Sequence, residues 1–107
     1  MKNINSLSVE ELEEMGNKVY TEYVKCQKME AKFRKKDDKI WEKIIALRGK
    51  ENREKRAALR EESEKIILEK VNPLVNRQNA LSSISEDITY LLCNFYHVEY
   101  KEKLVED

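Results

Sequence analysis

The stretch VEELEEMGNKVYTEYVKCQKMEAKFRKKDDKIWEKIIAL, residues 9–47, decides the fold. Positions 9, 12, 16, 19, 23, 26, 30, 33, 37, 40, 44 and 47 advance in alternating steps of three and four. Nine of these twelve are apolar: Val9, Leu12, Val19, Tyr23, Cys26, Phe33, Ile40, Ile44 and Leu47. Such spacing is that of a narrow coiled-coil seam rather than of a broad globular face. Read as one helix from about residue 8 to 48, it would be about 60 Å long at ~1.5 Å per residue. Gly16, Glu30 and Asp37 are the exceptions in the seam.

Just upstream, Ser8-Val9-Glu10-Glu11 is a capping box, in which the Ser8 hydroxyl and the Glu11 side chain each take a backbone amide of the other. Just downstream, the rhythm fails at Gly49, which follows Arg48 as a helix-ending glycine should. A tight turn at Gly49–Glu51 and a second helix from about 52 to 82 follow; a continuous rod through Gly49 is the alternative. A hairpin turning there opposes positions whose numbers sum to roughly 100. Phe33 then meets Ile66 and Ile67, Cys26 meets Leu74, and Ile44 meets Arg56–Ala57. The polar seam residues gain partners as well: Glu30 faces Lys70, and Asp37 faces Ser63 with Arg60 one turn away. These pairs either fix the register or sit at the seam's edge in water.

Pro73 after Asn72 predicts a kink or a restart of the second helix. Ser83-x-x-Glu86 has the form of a second capping box and predicts a third helix over 84–105. Residues 1–7 and the last two or three are expected to be loose. The expected fold is all-α: one domain, a long antiparallel coiled-coil-like helical hairpin with a third C-terminal helix packed along it. One helix covers little of so long a seam, so a twofold dimer is expected too.

Composition agrees with this reading. The 107 residues include 39% charged side chains, two Gly and one Pro, too few turn formers for a β-sandwich or barrel. No apolar run is long enough to cross a membrane, and the acidic start lacks the apolar core of a secretory signal, so a cytoplasmic protein is expected. The 21 basic and 21 acidic side chains are unevenly placed. Residues 1–24 carry two bases against five acids, residues 25–60 fourteen against six, and residues 61–107 five against ten. A basic middle between acidic ends is a clue to partners, not to fold.

The chemistry available is narrow. Cys26, Cys93 and His97 are too few for a structural zinc site, although Cys93 and His97 stand one helical turn apart. No phosphate loop or nucleophile elbow occurs, so no catalytic residue, metal or cofactor is expected. The basic stretch Arg48, Lys50, Arg53, Lys55, Arg56 and Arg60, preceded by Arg34, Lys35, Lys36, Lys39 and Lys43, is the candidate partner or phosphate site. Interleaved Asp37, Asp38, Glu42, Glu51 and Glu54 offer the alternative of a salt-paired solvated surface. Trp41 either packs or offers a stacking surface, and it is a candidate interface residue. Tyr90, Cys93, His97, Tyr100 and Leu104 make a second stripe on the expected last helix, with Tyr96 beside it. Tyr90, Tyr96 and Tyr100 are therefore candidate interface residues, or else a buried tyrosine stripe.

In general character the chain resembles small phage-encoded inhibitors, which are short, charged, helical and lack catalytic residues. The resemblance is one of type and assigns no residue. The leading expectation is a non-catalytic protein that binds a protein partner, as an inhibitor or sequestering factor of a nucleic-acid-handling machine. The alternatives are sequence-tolerant nucleic-acid binding by the basic hairpin end and a structural coiled-coil spacer.

Overall fold

A computed structural model of the chain describes residues 6–106. Helix α1 spans Val9–Ala46, a 3-10 turn Lys50–Asn52 follows, and α2 spans Arg53–Ile66. A π turn, Ile67–Val71, leads directly into α3, Asn72–Tyr90, which ends in a second π turn, Leu91–Phe95. Among the described residues there is no strand, so the all-helical expectation holds. The seam is where the spacing put it. All twelve positions are buried or half-buried, and from residue 26 to 47 they are the only positions of the stretch that are not exposed.

The start of α1 follows from its capping box: the Glu11 amide donates to Ser8 Oγ and the Ser8 amide to Glu11 Oε1, both at 3.2 Å. Glu10 and Glu11 in the first turn and Lys43 in the last complement the helix dipole.

One expectation for the second half needs correction. Pro73, where a kink or restart was expected, stands where the π turn ends and α3 begins. It lies in the first turn of α3, where its missing N–H matters least, and the widened π turn just before it relieves the crowding a proline ring imposes on the preceding turn. The expectation that fails is the separate third helix over 84–105. Ile84–Tyr90 continue α3, and 96–106 carry no regular helix. The Ser83-x-x-Glu86 box starts nothing, because the preceding turn is already helical and the amides it would cap have carbonyl acceptors four residues back. The helix stops instead at His97, whose φ of 55° is the left-handed conformation that reverses a helix end. The Val98 amide reaches back to the Leu92 carbonyl at 2.8 Å, and the Tyr96 amide to that of Leu91 at 3.0 Å.

The chain forms two compact units: residues up to Lys25 together with those from Arg77 onward, and Cys26–Asn76. Helix α1 contributes to both.

In the first unit Leu12, Ile88 and Leu92 are fully buried, with Leu7, Val9, Met15, Val19, Leu91, Tyr96 and Tyr100 packed around them. Each such side chain contributes about 1.5–3 kcal/mol by leaving water. Of the ends expected to be loose, residues 1–5 and 107 lie outside the described residues, whereas Leu7 packs on this core. The stretch after His97 runs along α1. The amides of Lys103 and Val105 donate to Asn17 Oδ1 (3.0 Å) and Thr21 Oγ1 (2.8 Å), acceptors one helical turn apart. That cover explains why this part of α1 buries Thr21 as well as the seam.

In the second unit Cys26, Ile40, Ile44 and Val71 are buried. The second half of α1 and the helix after the turn run antiparallel here. Asp37 meets Ser63, and Lys70 Nζ lies 6.0 Å from the Phe33 ring centre, both close to the expected register. The Glu30 carboxylate is bonded to Arg34 one turn along its own helix.

Candidate functional site

The reversal at 47–52 is fixed by side chains. Helix α1 leaves carbonyls without intrahelical partners at its C-terminus. Arg56 Nη1 donates to those of Leu47 (3.0 Å) and Gly49 (2.9 Å), and Asn52 Nδ2 takes that of Arg48 at 2.6 Å. Gly49 sits at φ 93°, ψ 158°, a conformation essentially confined to glycine. Arg56 is therefore half-buried and engaged in the turn. Arg48, Lys50, Arg53, Lys55 and Arg60, the other five basic residues singled out in the sequence, are exposed and form no ion pair with a described residue. The turn thus presents five cations on a backbone that its own side chains hold.

Trp41 stands at the edge of this unit, 41% exposed. Its indole N–H donates to Ser63 Oγ at 3.0 Å, and the buried Ser63 hydroxyl donates in turn to the Asp37 carboxylate. The relay pins the indole while leaving much of its ring open. One turn further along, Ile45 is 67% exposed, so an apolar strip lies beside the basic turn.

The tyrosines separate. Tyr90 is 65% exposed. Tyr96 is half-buried, with its hydroxyl 3.4 Å from the Leu7 carbonyl. Tyr100 is half-buried over Gly16, its hydroxyl donating to Asn17 Oδ1 at 3.3 Å. Tyr96 and Tyr100 belong to the packing of the first unit, and only Tyr90 of the three is presented outward. Burial holds the Tyr100 phenol above its usual pKa, and the negative charges of Glu102 and Glu13 add to the effect.

Cys93 and His97 line an open cleft of about 760 Å³ together with Glu13, Asn17, Tyr100 and Lys103. Among the described residues no three His, Cys, Asp or Glu side chains are grouped to hold a metal ion. Cys26 is buried, and both cysteines are free thiols.

A second basic surface contains Lys35, Lys39 and Lys43, already named among the bases preceding the turn, together with Lys28 and Lys32, which were not. Lys28, Lys32, Lys35, Lys39 and Lys43 recur in steps of four, three, four and four along α1, and all five are exposed. Their helical spacing was the available signal; grouping the bases by segment concealed it.

Compared with known proteins, the chain matches no protein-family model, no curated protein and no solved structure.

Proposed function

We propose that this chain is a non-catalytic helical interaction protein, working in the cytoplasm, that binds an acidic surface of a macromolecular partner. Its role in this reading is to inhibit or sequester a nucleic-acid-handling machine. The observation that carries the reading is the basic turn. Five exposed cations, Arg48, Lys50, Arg53, Lys55 and Arg60, stand on a reversal braced by Arg56, Asn52 and Gly49. A braced backbone loses little conformational freedom on binding, which is how preorganisation favours affinity. The open ring of Trp41 and the exposed Ile45 supply apolar anchors next to the cations, and tryptophan with arginine is the composition of interface hot spots. A twofold dimer belongs to the same proposal, with the exposed Tyr90 as the ring that supports it.

The test is an affinity pull-down from the source cell with nuclease treatment, using the full chain and an Arg48→Glu, Arg53→Glu, Lys55→Glu variant. A stoichiometric protein complex that survives nuclease and is lost with the variant is expected. A complex that the variant retains, or no complex at all, overturns the reading.

A further inference from the structure

We infer that the lysine ridge of α1 is a binding track for the phosphate backbone of a nucleic-acid duplex. The inference deepens the reading of the chain as a non-catalytic binding protein by naming a ligand, and it rests on that reading. Lys28, Lys32, Lys35, Lys39 and Lys43 fall on one helical stripe, because residues three and four apart are surface neighbours. The stripe is about 22 Å long at ~1.5 Å per residue. It faces away from the side that buries Cys26, Ile40 and Ile44, and so away from the contacts with the second arm.

An ordinary solvated helix face mixes signs and pairs them. Elsewhere on α1 that is what happens, with Lys18 on Glu14 at 3.1 Å and Arg34 on Glu30. The ridge departs from this pattern. None of its five ammonium groups forms an ion pair with a described residue, although Asp38 and Glu42 lie on the same helix. Every neighbouring couple along it, 28 with 32, 32 with 35, 35 with 39 and 39 with 43, is a like-charge pair of the kind that destabilises a helix. A polyanion laid along the stripe would remove that repulsion.

The residue chemistry narrows the polyanion. Lysines are strongly hydrated point charges without the planar fork that reads base edges, so the contact is with backbone phosphates and independent of sequence. Single-strand sites add aromatic platforms on which bases stack. The ridge itself carries none: Phe33 is half-buried with Lys36 Nζ 5.3 Å from its centre, and Trp41, the exposed ring of the same stretch, is held by its indole N–H on Ser63 of α2. A duplex, whose bases are already stacked, is the form that needs cations alone.

The experiment measures binding of the full chain to two 25-base-pair duplexes of unrelated sequence by fluorescence anisotropy between 50 and 250 mM salt. Equal affinity for the two is expected, with log K falling against log salt at a slope of roughly −3 to −4.5, since each neutralised phosphate contributes about 0.9. Lys32→Gln, Lys35→Gln, Lys39→Gln together should flatten that slope by about 2.7. A Lys18→Gln, Lys101→Gln variant, altered at exposed lysines of the first unit, should leave it unchanged; circular dichroism confirms that both variants remain helical. No duplex binding at 50 mM salt, a slope that the ridge variant retains, or binding only to vesicles of anionic lipid overturns the inference. A protein complex that survives nuclease in the pull-down while any of these occurs would leave the preceding reading standing and the duplex track refuted.

Discussion

The phenol ring of Tyr100 lies over Gly16 so closely that a methyl group added to the glycine would overlap the phenol oxygen. The gap in the α1 seam at residue 16 is therefore a seat for a ring from the far end of the chain. Gly16→Ala should displace Tyr100 and destabilise the protein by about 1–2 kcal/mol in urea unfolding, as overpacking outweighs the ~1 kcal/mol that alanine gains in a helix. The same variant should lose hydrogen-exchange protection at the Lys103 and Val105 amides, which bond Asn17 and Thr21 beside that seat. Unchanged protection there would mean that the terminal stretch docks independently of Tyr100.

Alkaline conditions should act on the same contact. Burial, followed by Glu102 and Glu13, disfavours the Tyr100 phenolate, so the folded protein keeps that proton above the pH near 10 at which the unfolded chain releases it. Once the pH passes about 10 the unfolded state binds fewer protons than the folded state, and stability falls as pH rises. The contribution is fully present below pH 10 and is lost as the pH climbs through the folded value. Urea midpoints at pH 8, 10 and 11 should decline more steeply for the native chain than for Tyr100→Phe. Parallel declines would show that Tyr100 ionises as it does in water.

The reversal at Gly49 should separate bracing residues from presented ones. Arg56→Gln leaves the Leu47 and Gly49 carbonyls without their guanidinium and should cost about 1–2 kcal/mol. Gly49→Ala forces a Cβ into a positive-φ conformation and should cost about 1–3 kcal/mol. Arg53→Gln, a change at an exposed position, should fall within about 0.5 kcal/mol of the native chain. Thermal melts of the three variants decide it; an Arg53→Gln loss equal to that of Arg56→Gln would contradict this division of labour.

What the sequence made legible is what local periodicity encodes. The three–four rhythm located every seam position of α1, and Ser8 and Glu11 located its start. Asp37 was matched with Ser63 because an antiparallel pair fixes opposite positions once its turn is known. The terminal stretch was misread for a physical reason. Tyr90, Cys93, His97 and Tyr100 keep helical spacing, yet the helix ends between them at a histidine in the left-handed conformation, where a glycine would have announced the stop. Asn17 and Thr21 carried no signal in the sequence because their partners are backbone amides more than eighty positions away. Arg56 was grouped with the presented cations because composition does not distinguish a guanidinium facing water from one facing carbonyls.

The relay from Trp41 to Asp37 should be visible in the fluorescence of the chain's single tryptophan. Ser63→Ala removes both the acceptor of the indole N–H and the donor to the carboxylate. The indole should then move into water, with a red-shifted emission and a loss of about 0.5–1.5 kcal/mol. Ser63→Thr keeps the hydroxyl and should preserve most of the native spectrum. An emission maximum that is identical in Ser63→Ala would mean that packing alone holds the ring.

His97 carries the strain of the helix stop. At φ 55° its Cβ crowds the following carbonyl, a conformation that costs an L-residue about 1–2 kcal/mol and a glycine nearly nothing. Glycine also makes the unfolded chain more flexible, which offsets part of the relief. His97→Gly should therefore stabilise the protein by about 0.5–1 kcal/mol. His97→Val, a β-branched residue poorly suited to that conformation, should destabilise it by at least as much. The Val98-to-Leu92 hydrogen bond that closes the helix offers a second readout, since its amide should gain exchange protection with glycine and lose it with valine. If glycine instead destabilises as valine does, the imidazole itself is holding the cleft that it shares with Glu13 and Cys93, and the strained histidine would be there for its side chain rather than for the turn.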